Sequence, residues 1–380
     1  MKNYPYLCSA LLLALALVPA NQAHAQEALK DAYEDAFLIG GAIAPFVFDE
    51  TDAASTAIVK THFNAISPEN VLKPGPINPE RGVFNFEPAD RYVEFGEAND
   101  MFIVGHTLVW HNQTPDWFFF DENGEPNTKE AQIERLREHI TTVAGRYAGR
   151  IDGWDVINEL LTEDGEYRSS YWTDIVGGDD LVKLAFQYAS EAAPGTELYY
   201  NEYNAWRPAK RDGIMRLVRL LQAEGIRIDG VGVQGHWGLQ YPRSDYFLAA
   251  VDSFASLGMK VMITELDVDV LPVSSHGQLV AGAMNNPQFQ YEEFEAFLDP
   301  YKEGLPTEIE RQLTERYAQL FALFYSRRDV IERVTFWGVH DGASWKNNSP
   351  VRGRTNYPLL FDREREGKPA LDAVLAVPGG

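Results

Sequence analysis

A single cysteine, Cys8, stands among 380 residues, and from residue 9 onward the chain carries no thiol. Disulfide staples are excluded beyond that point, so the fold must rest on a core large enough to need none, even in an oxidising compartment. Positive charge is scarce as well: 33 Lys and Arg face 56 Asp and Glu, for a net charge of -23. Such a surface repels phosphate backbones and anionic lipid headgroups, which argues against nucleic acid or a charged membrane as partner. Its plain reading is solubility in an extracellular or salty setting. No G-x-G-x-x-G opens a helix and no H-E-x-x-H occurs, so dinucleotide binding and a common zinc site lose their main support. Internal repeats, Ser/Thr/Pro-rich linkers and an appended binding module are also missing.

What is present is apolar substance, 45% of the residues with 12% aromatic, sufficient for one large core. The first 25 residues read differently from the rest. Lys2 supplies a short positive region, Leu11–Val18 an apolar one, and Ala23-His24-Ala25 a small-x-small cleavage pattern. The apolar stretch falls short of the roughly 20 residues that span a bilayer. Residues 1–25 are therefore expected to be an export signal, leaving 26–380 as one domain, secreted or periplasmic, with no membrane attachment after cleavage. Cys8 would leave with the signal, and its place before the apolar region argues against a lipid-modified cysteine.

Past a short helix expected at 28–36, apolar runs of strand length recur: 37–42, 65–67, 102–105, 151–157, 197–200, 230–234, 260–264 and 334–338. Amphipathic helical patterns separate them, clearest at 129–147, 180–193, 211–224 and 306–327. Eight alternating units over this length predict a closed (β/α)8 TIM barrel rather than an open sheet. The longest irregular insert, roughly 270–301, follows the seventh strand.

Nearly every predicted strand ends in polar or aromatic side chains: Glu69 and Asn70, His106, Asn158 and Glu159, Asn201 and Glu202, Gln234 and His236, Glu265 and Asp267, Trp337 and His340. Gathered on one barrel face, they describe a deep polar cleft. Glu159 and Glu265 each close an apolar run, and a pair of carboxylates at such a mouth is what glycoside hydrolysis requires. Glu265 would attack the anomeric carbon. Glu159 would be the general acid, protonated at rest beside the charge of Glu265 and free to act as base once Glu265 is esterified. His236 and Asp267 would orient Glu265 and keep it ionised. Two glutamates capping strands in ordinary salt bridges are the bland alternative. A metal site drawn from His106, His111, Glu69 and Asp267 is another, poorly served by a five-residue His spacing in a strand-to-loop segment. Trp110, Trp337 and Trp345 are placed to cover the apolar face of a sugar ring, whereas Trp154 and Trp172 read as core.

At this point an ordered set of motifs resembles the glycoside hydrolase family 10 endo-1,4-β-xylanases over essentially all of 26–380. Phe63-Asn64 with Pro68-Glu69-Asn70-Val71-Leu72-Lys73 and Gly82-Val83-Phe84-Asn85-Phe86 is similar to the first signature, and Gly105-His106-Thr107-Leu108-Val109-Trp110-His111-Asn112-Gln113-Thr114-Pro115 to the second. Trp154 to Glu159 resembles the acid/base motif, Gly232 to His236 the histidine-bearing segment, and Ile263-Thr264-Glu265-Leu266-Asp267 the nucleophile motif. Phe336-Trp337-Gly338-Val339 with Ser344-Trp345 resembles the closing one.

The resemblance implies retaining hydrolysis of internal bonds in xylan and xylo-oligosaccharides, with carboxyl groups roughly 5 to 5.5 Å apart; beside it, no cofactor, no metal and a monomer are expected. It implies that Glu69, Asn70, Lys73, His106, Trp110 and Gln113 bind sugars on the non-reducing side and that Asn158 holds the 2-hydroxyl. Gln234 and His236 would support Glu265, Tyr203 would lie toward the leaving group, and Trp337 and Trp345 would wall the central subsite. Trp345 would crowd a hydroxymethyl and favour xylose over glucose. Pro74, where the family has Trp, and the Val339 to Ala343 segment depart from the pattern. A barrel hydrolase of β-glucan, a non-catalytic carbohydrate-binding barrel and a metal-dependent hydrolase are the rival readings.

Overall fold

Parallel strands covered by helices are buried on both faces, and the six residues of Gly153–Asn158 meet that condition without exception. In the computed structural model, which describes residues 27–271 and 298–379, nine strands run parallel. They are β1 Leu38–Ile43, β2 Ala65–Pro68, β3 Phe102–Trp110, β4 Gly153–Asn158, β5 Glu197–Glu202, β6 Gly230–Val233, β7 His236–Gly238, β8 Lys260–Asp269 and β9 Ile331–Phe336. β1 pairs with β2 on one side and β9 on the other, and β6 pairs with β8, so eight strands close a barrel and β7 is a short addition beside β8. This is the (β/α)8 architecture expected from the alternating pattern.

The predicted helices appear as Lys129–Arg146, Gly178–Ala192, Pro208–Ala223 and Thr307–Tyr325. Thr128 caps the first, its hydroxyl accepting from the Ala131 N–H, and Leu136, Ile140, Val143 and Ala144 form its buried stripe. Three expectations need correction. The helix at 28–36 is a single turn, Leu29–Ala32, because Tyr33 is drawn into the core, stacked on Phe37 at 4.9 Å with its hydroxyl donating to Val374 O. β3 and β8 outrun their predicted ends, to Trp110 and Asp269, since each finds a ladder partner further on. The last strand ends at Phe336, although the Trp337 N–H still donates across to Leu266 O of β8 at 3.0 Å. The segment 1–25 and nearly all of the insert at 270–301 lie outside the described residues.

Barrel interiors are filled by alternate residues. Glycines crowd the lower interior: a Cβ on Gly153 would fall 2.5 Å from the Tyr199 ring, and one on Gly40 2.9 Å from Thr335 Oγ1. Arg333 occupies that space, its guanidinium over the rings of Phe102 and Tyr199 at 5.1 and 5.5 Å. Two residues further along, the inward positions turn polar with His106, Asp155, Asn201, Thr264 and Thr335. The floor of the mouth is thus hydrogen-bonding matter held in a rigid cylinder.

Lys368 fastens the segment that follows β9 at the same rim. Lys368 Nζ, buried, donates to Asp341 Oδ2 at 2.9 Å and to the carbonyls of Tyr357 and Leu359 at 2.8 and 2.7 Å. Asp341 in turn begins the turns that lead into Trp345–Asn347, and Asn347 Nδ2 donates to its carbonyl at 2.8 Å. All three ammonium protons are used.

One contact makes the strand packing testable. A Cβ on Gly105 would meet Trp154 Cε3 at 2.2 Å, and both residues are hemmed in. Gly105→Ala is expected to destabilise by about 1 to 3 kcal/mol through overpacking. Calorimetric melting measures this, and an unchanged midpoint would contradict the rigid fit.

Candidate active site

Neighbouring residues on a regular strand point to opposite faces. Thr264 and Glu265 do not: Thr264 Oγ1 donates to Asn201 Oδ1 at 2.6 Å while Glu265 Oε1 accepts from Asn201 Nδ2 at 2.7 Å. The register of β8 against β9 shifts between Ile263 and Leu266, and that irregularity turns the Glu265 carboxyl inward. Glu265 therefore lies within β8 rather than at its end. The strand continues because His236 pairs with Asp267 beyond it. A similar shift between β3 and β4 precedes Asn158, and Glu159 then adopts φ 59°. A non-glycine residue in the left-handed region costs on the order of 1 kcal/mol or more, and such outliers cluster where a side chain must be aimed.

A chain of amides joins the two carboxylates. Gln234 Nε2 donates to Glu159 Oε1 at 3.0 Å and to Asn158 Oδ1 at 3.2 Å, and Asn201 Nδ2 donates to Asn158 Oδ1 at 2.9 Å as well as to Glu265. The second oxygen of Glu159 accepts from Trp110 Nε1 at 2.9 Å. The second oxygen of Glu265 meets His236 Nε2 at 2.9 Å. The other His236 nitrogen faces Asp267 Oδ2 at 2.9 Å, which also accepts from Trp345 Nε1 at 2.8 Å.

These contacts separate the charges. Burial alone would raise the Glu265 carboxyl, but the bond from His236 and its charge, with His106 and Asn201, hold it below the usual carboxylate range. Asp267 is lowered in the same way, burial being overcome by Lys346 and His236. Burial opposes the charge on His236, yet Asp267 and Glu265 lift its pKa to about 9. An imidazolium between two carboxylates is the resting arrangement at neutral pH. Across the cleft, Lys73 Nζ donates to Asn70 Oδ1 at 3.0 Å and lies 5.1 Å from the Trp110 ring and 5.9 Å from the Trp337 ring. Burial lowers the Lys73 ammonium against the pull of Glu265, Glu69 and Glu159, and burial pushes Glu69 up to about 7 despite Lys73.

A cavity of about 390 Å³ brings together Glu69, Asn70, Lys73, His106, Trp110, Gln113, Asn158, Glu159, Gln234, His236, Glu265, Trp337 and Trp345, with Asn112 and Ser349 beside them. Asp267 stands behind His236, outside the lining. Tyr203 also lies off the lining, its hydroxyl accepting from Arg168 Nη2 at 2.5 Å. The residues drawn as alternative metal ligands have other neighbours: His106 Nδ1 faces Asp155 Oδ2 at 2.9 Å, and burial drives His111 down to about 4 against the charge of Glu159. Among the described residues no three His, Cys, Asp or Glu side chains gather as a metal site.

Pro74 lacks the side chain of a Trp and opens a single helical turn, Pro74–Ile77; from it the Gly75 N–H donates across to Gln113 O at 2.7 Å, and a Cβ on Gly75 would sit 2.8 Å from that oxygen. His340 is buried away from the cavity, edge-on to Phe46, with Nδ1 accepting from the Gly342 N–H at 3.2 Å. Asp155, Asn201 and Arg168 are site residues to which the sequence reading assigned no role. Asn201 carried a signal, as a polar residue ending a strand; Asp155 lay inside a motif, and Arg168 carried none.

The profile of glycosyl hydrolase family 10 matches residues 28–377. An endo-1,4-β-xylanase A of Xylanibacter ruminicola is 40% identical over 376 residues, covering 99% of each chain, and an endo-1,4-β-xylanase of Geobacillus stearothermophilus is 39% identical over 92% of this chain and 98% of its own. Among solved structures, a family 10 endoxylanase from a sugarcane soil metagenome superposes with TM-score 0.85 at 40% identity, over 93% of this chain and all of that one. A xylanase of Paenibacillus barcinonensis bound to a conduramine derivative gives 0.80 at 34% identity, over 92% and 98%.

His236 yields a titration test. A pKa raised from the ordinary 6.5 to about 9 means that its stabilising contribution is complete below 6.5 and fades as pH rises through 9. Its ring resonances followed by NMR should titrate near pH 9, and denaturation stability should fall over that range less steeply in His236→Gln. A midpoint at or below 6.5 would remove the imidazolium from the site.

Proposed function

The chain belongs to glycosyl hydrolase family 10, and from that membership we propose that it is a retaining endo-1,4-β-xylanase with Glu265 as nucleophile and Glu159 as acid/base. The observation that carries the assignment is the asymmetry of the pair: Glu265 is held ionised between Asn201 and the His236 cation, whereas the Glu159 carboxyl oxygens, among the described residues, accept from the neutral N–H groups of Gln234 and Trp110. An ionised carboxylate attacks, and the role of acid falls to its counterpart.

In the first step a Glu265 oxygen bonds to the anomeric carbon as its bond to the glycosidic oxygen breaks, and Glu159 gives that oxygen its proton. The leaving sugar departs as an alcohol and a glycosyl ester remains. In the second, Glu159 takes a proton from water whose oxygen attacks the same carbon, and the Glu265 carboxylate is released. Two inversions give net retention. His236 and Asp267 keep the nucleophile ionised and aimed, and Asn158, at the centre of the amide chain, is the group to hold the 2-hydroxyl.

Xylan and xylo-oligosaccharides are the substrates this reading favours over β-glucan, and the names of the relatives support it. Glu69, Asn70, Lys73, His106, Trp110 and Gln113 form the non-reducing side, Trp337 and Trp345 the central wall, and Tyr203 the leaving-group side. Trp345, locked by its bond to Asp267 and its ring 4.8 Å from that of His236, is a fixed obstacle to a hydroxymethyl group. Residues 1–25 would direct export and be removed, delivering a monomeric catalytic domain, 26–380, to the periplasm or the medium. Among the described residues no helix is long and apolar enough to cross a membrane.

Glu265→Ala is expected to lose turnover of every substrate, while Glu159→Ala retains the first step for aryl xylobiosides whose leaving group needs little protonation. Equal loss in both variants would undo the assignment of roles, and faster release of sugar from carboxymethylcellulose than from xylan would overturn the substrate. Export is checked by intact mass: protein recovered outside the cytoplasm should begin at Gln26, and a chain retaining Met1 there would refute cleavage.

A further inference from the structure

Arg168 is a half-buried cation that, among the described residues, makes no direct ion pair in a protein rich in carboxylates. Its donors are spent elsewhere. Nε donates to the backbone carbonyl of Glu159 at 3.2 Å, and Nη2 to the carbonyl of Leu161 at 3.1 Å and the hydroxyl of Tyr203 at 2.5 Å. The Arg168 N–H returns to Leu160 O at 2.8 Å, and Thr173 Oγ1 donates to Arg168 O at 2.6 Å, so the brace is itself anchored at both ends of its own peptide. A planar fork that reaches two carbonyls and a phenol fixes their relative positions in a way a flexible ammonium does not.

The residues it joins are those that must act together when the glycosidic oxygen departs. Glu159 sits at φ 59°, a conformation that a non-glycine residue holds only when its surroundings impose it. Tyr203 has Lys210 3.2 Å from its ring centroid, and Lys210 is in turn paired with Glu202 at 2.9 Å. Because the phenol oxygen accepts from Arg168, and its own O–H donates to nothing among the described residues, that proton is free for a ligand.

We propose that Arg168 is a positioning residue that couples the leaving-group side, through Tyr203, to the backbone of the general acid Glu159. The proposal rests on the roles given to Glu159 and Tyr203 above. A sugar bound at Tyr203 tightens the Arg168 brace, and the brace fixes the strained turn from which Glu159 delivers its proton.

The test compares Arg168→Lys and Arg168→Met on two substrates: xylohexaose, whose leaving sugar needs protonation, and 2,4-dinitrophenyl xylobioside, whose leaving group does not. The expected result is a loss in kcat/KM, which reports the first step alone, of roughly 10- to 100-fold on xylohexaose against less than about 3-fold on the aryl glycoside, with Lys the milder change. Equal losses on both substrates, or none on either, would overturn the proposal. Should Arg168→Met fail to fold, Tyr203→Phe combined with Arg168→Lys decides: coupling predicts that the double variant loses less on xylohexaose than the product of the single losses, and multiplicative losses reject it. Glu159→Ala run alongside separates the two layers. If it shows the leaving-group split and Arg168→Lys does not, only the Arg168 proposal falls; if Glu159→Ala shows no split, the acid/base assignment itself falls.

Discussion

A single side-chain amide, that of Asn201, is the point on which the site's geometry turns. Its nitrogen donates to Glu265 and to Asn158, and its oxygen accepts from Thr264. Inside a closed cylinder these partners come from β4 and β8 while Asn201 itself stands on β5, so one planar group ties three strands at the level of the two carboxylates. Burial makes each bond expensive to leave unmade, and the amide has little freedom to choose other partners. Glu265 and Glu159 inherit their orientation from that constraint.

Charge is distributed around this centre by the same economy of position. The protein as a whole is strongly acidic, yet the cleft holds Lys73 and the His236 imidazolium among its carboxylates. Each cation has a distinct neighbourhood. His236 is clamped between Glu265 and Asp267, which keeps the first of these ionised, while Lys73 faces the aromatic walls of Trp110 and Trp337 and the amide of Asn70. Two carboxylates of the same chemical type thereby meet different surroundings within one cavity, which is the condition for the proposed division of labour between acid and nucleophile.

Much of this is legible in the sequence alone. Parallel strands buried on both faces appear as short apolar runs, and their polar ends mark one rim, so all eight barrel strands and the mouth residues from Glu69 to Trp345 stood out. What did not stand out depends on neighbours across the barrel. β7 exists only because β8 overruns, and a three-residue segment such as His236-Trp237-Gly238 has no periodicity of its own. Asn201 and Asp155 matter because closure sets β5 beside β4 and β4 beside β3. Arg168 lies in a loop, and its target is a backbone carbonyl, an atom that every residue possesses and no motif records. Glu265 was expected at a strand end, and a change of register inside β8 did the same work of exposing it to the mouth.

The buried ammonium of Lys368, with its carboxylate and two carbonyl acceptors, takes on a further meaning in a chain without thiols beyond its eighth residue. The tryptophan-bearing rim is clipped to the segment that carries Lys368 by proton-bearing nitrogen instead of sulfur. Completion of the mouth thus requires neither an oxidant nor an isomerase for bridge shuffling, and the same architecture is accessible on either side of a membrane that divides reducing from oxidising space.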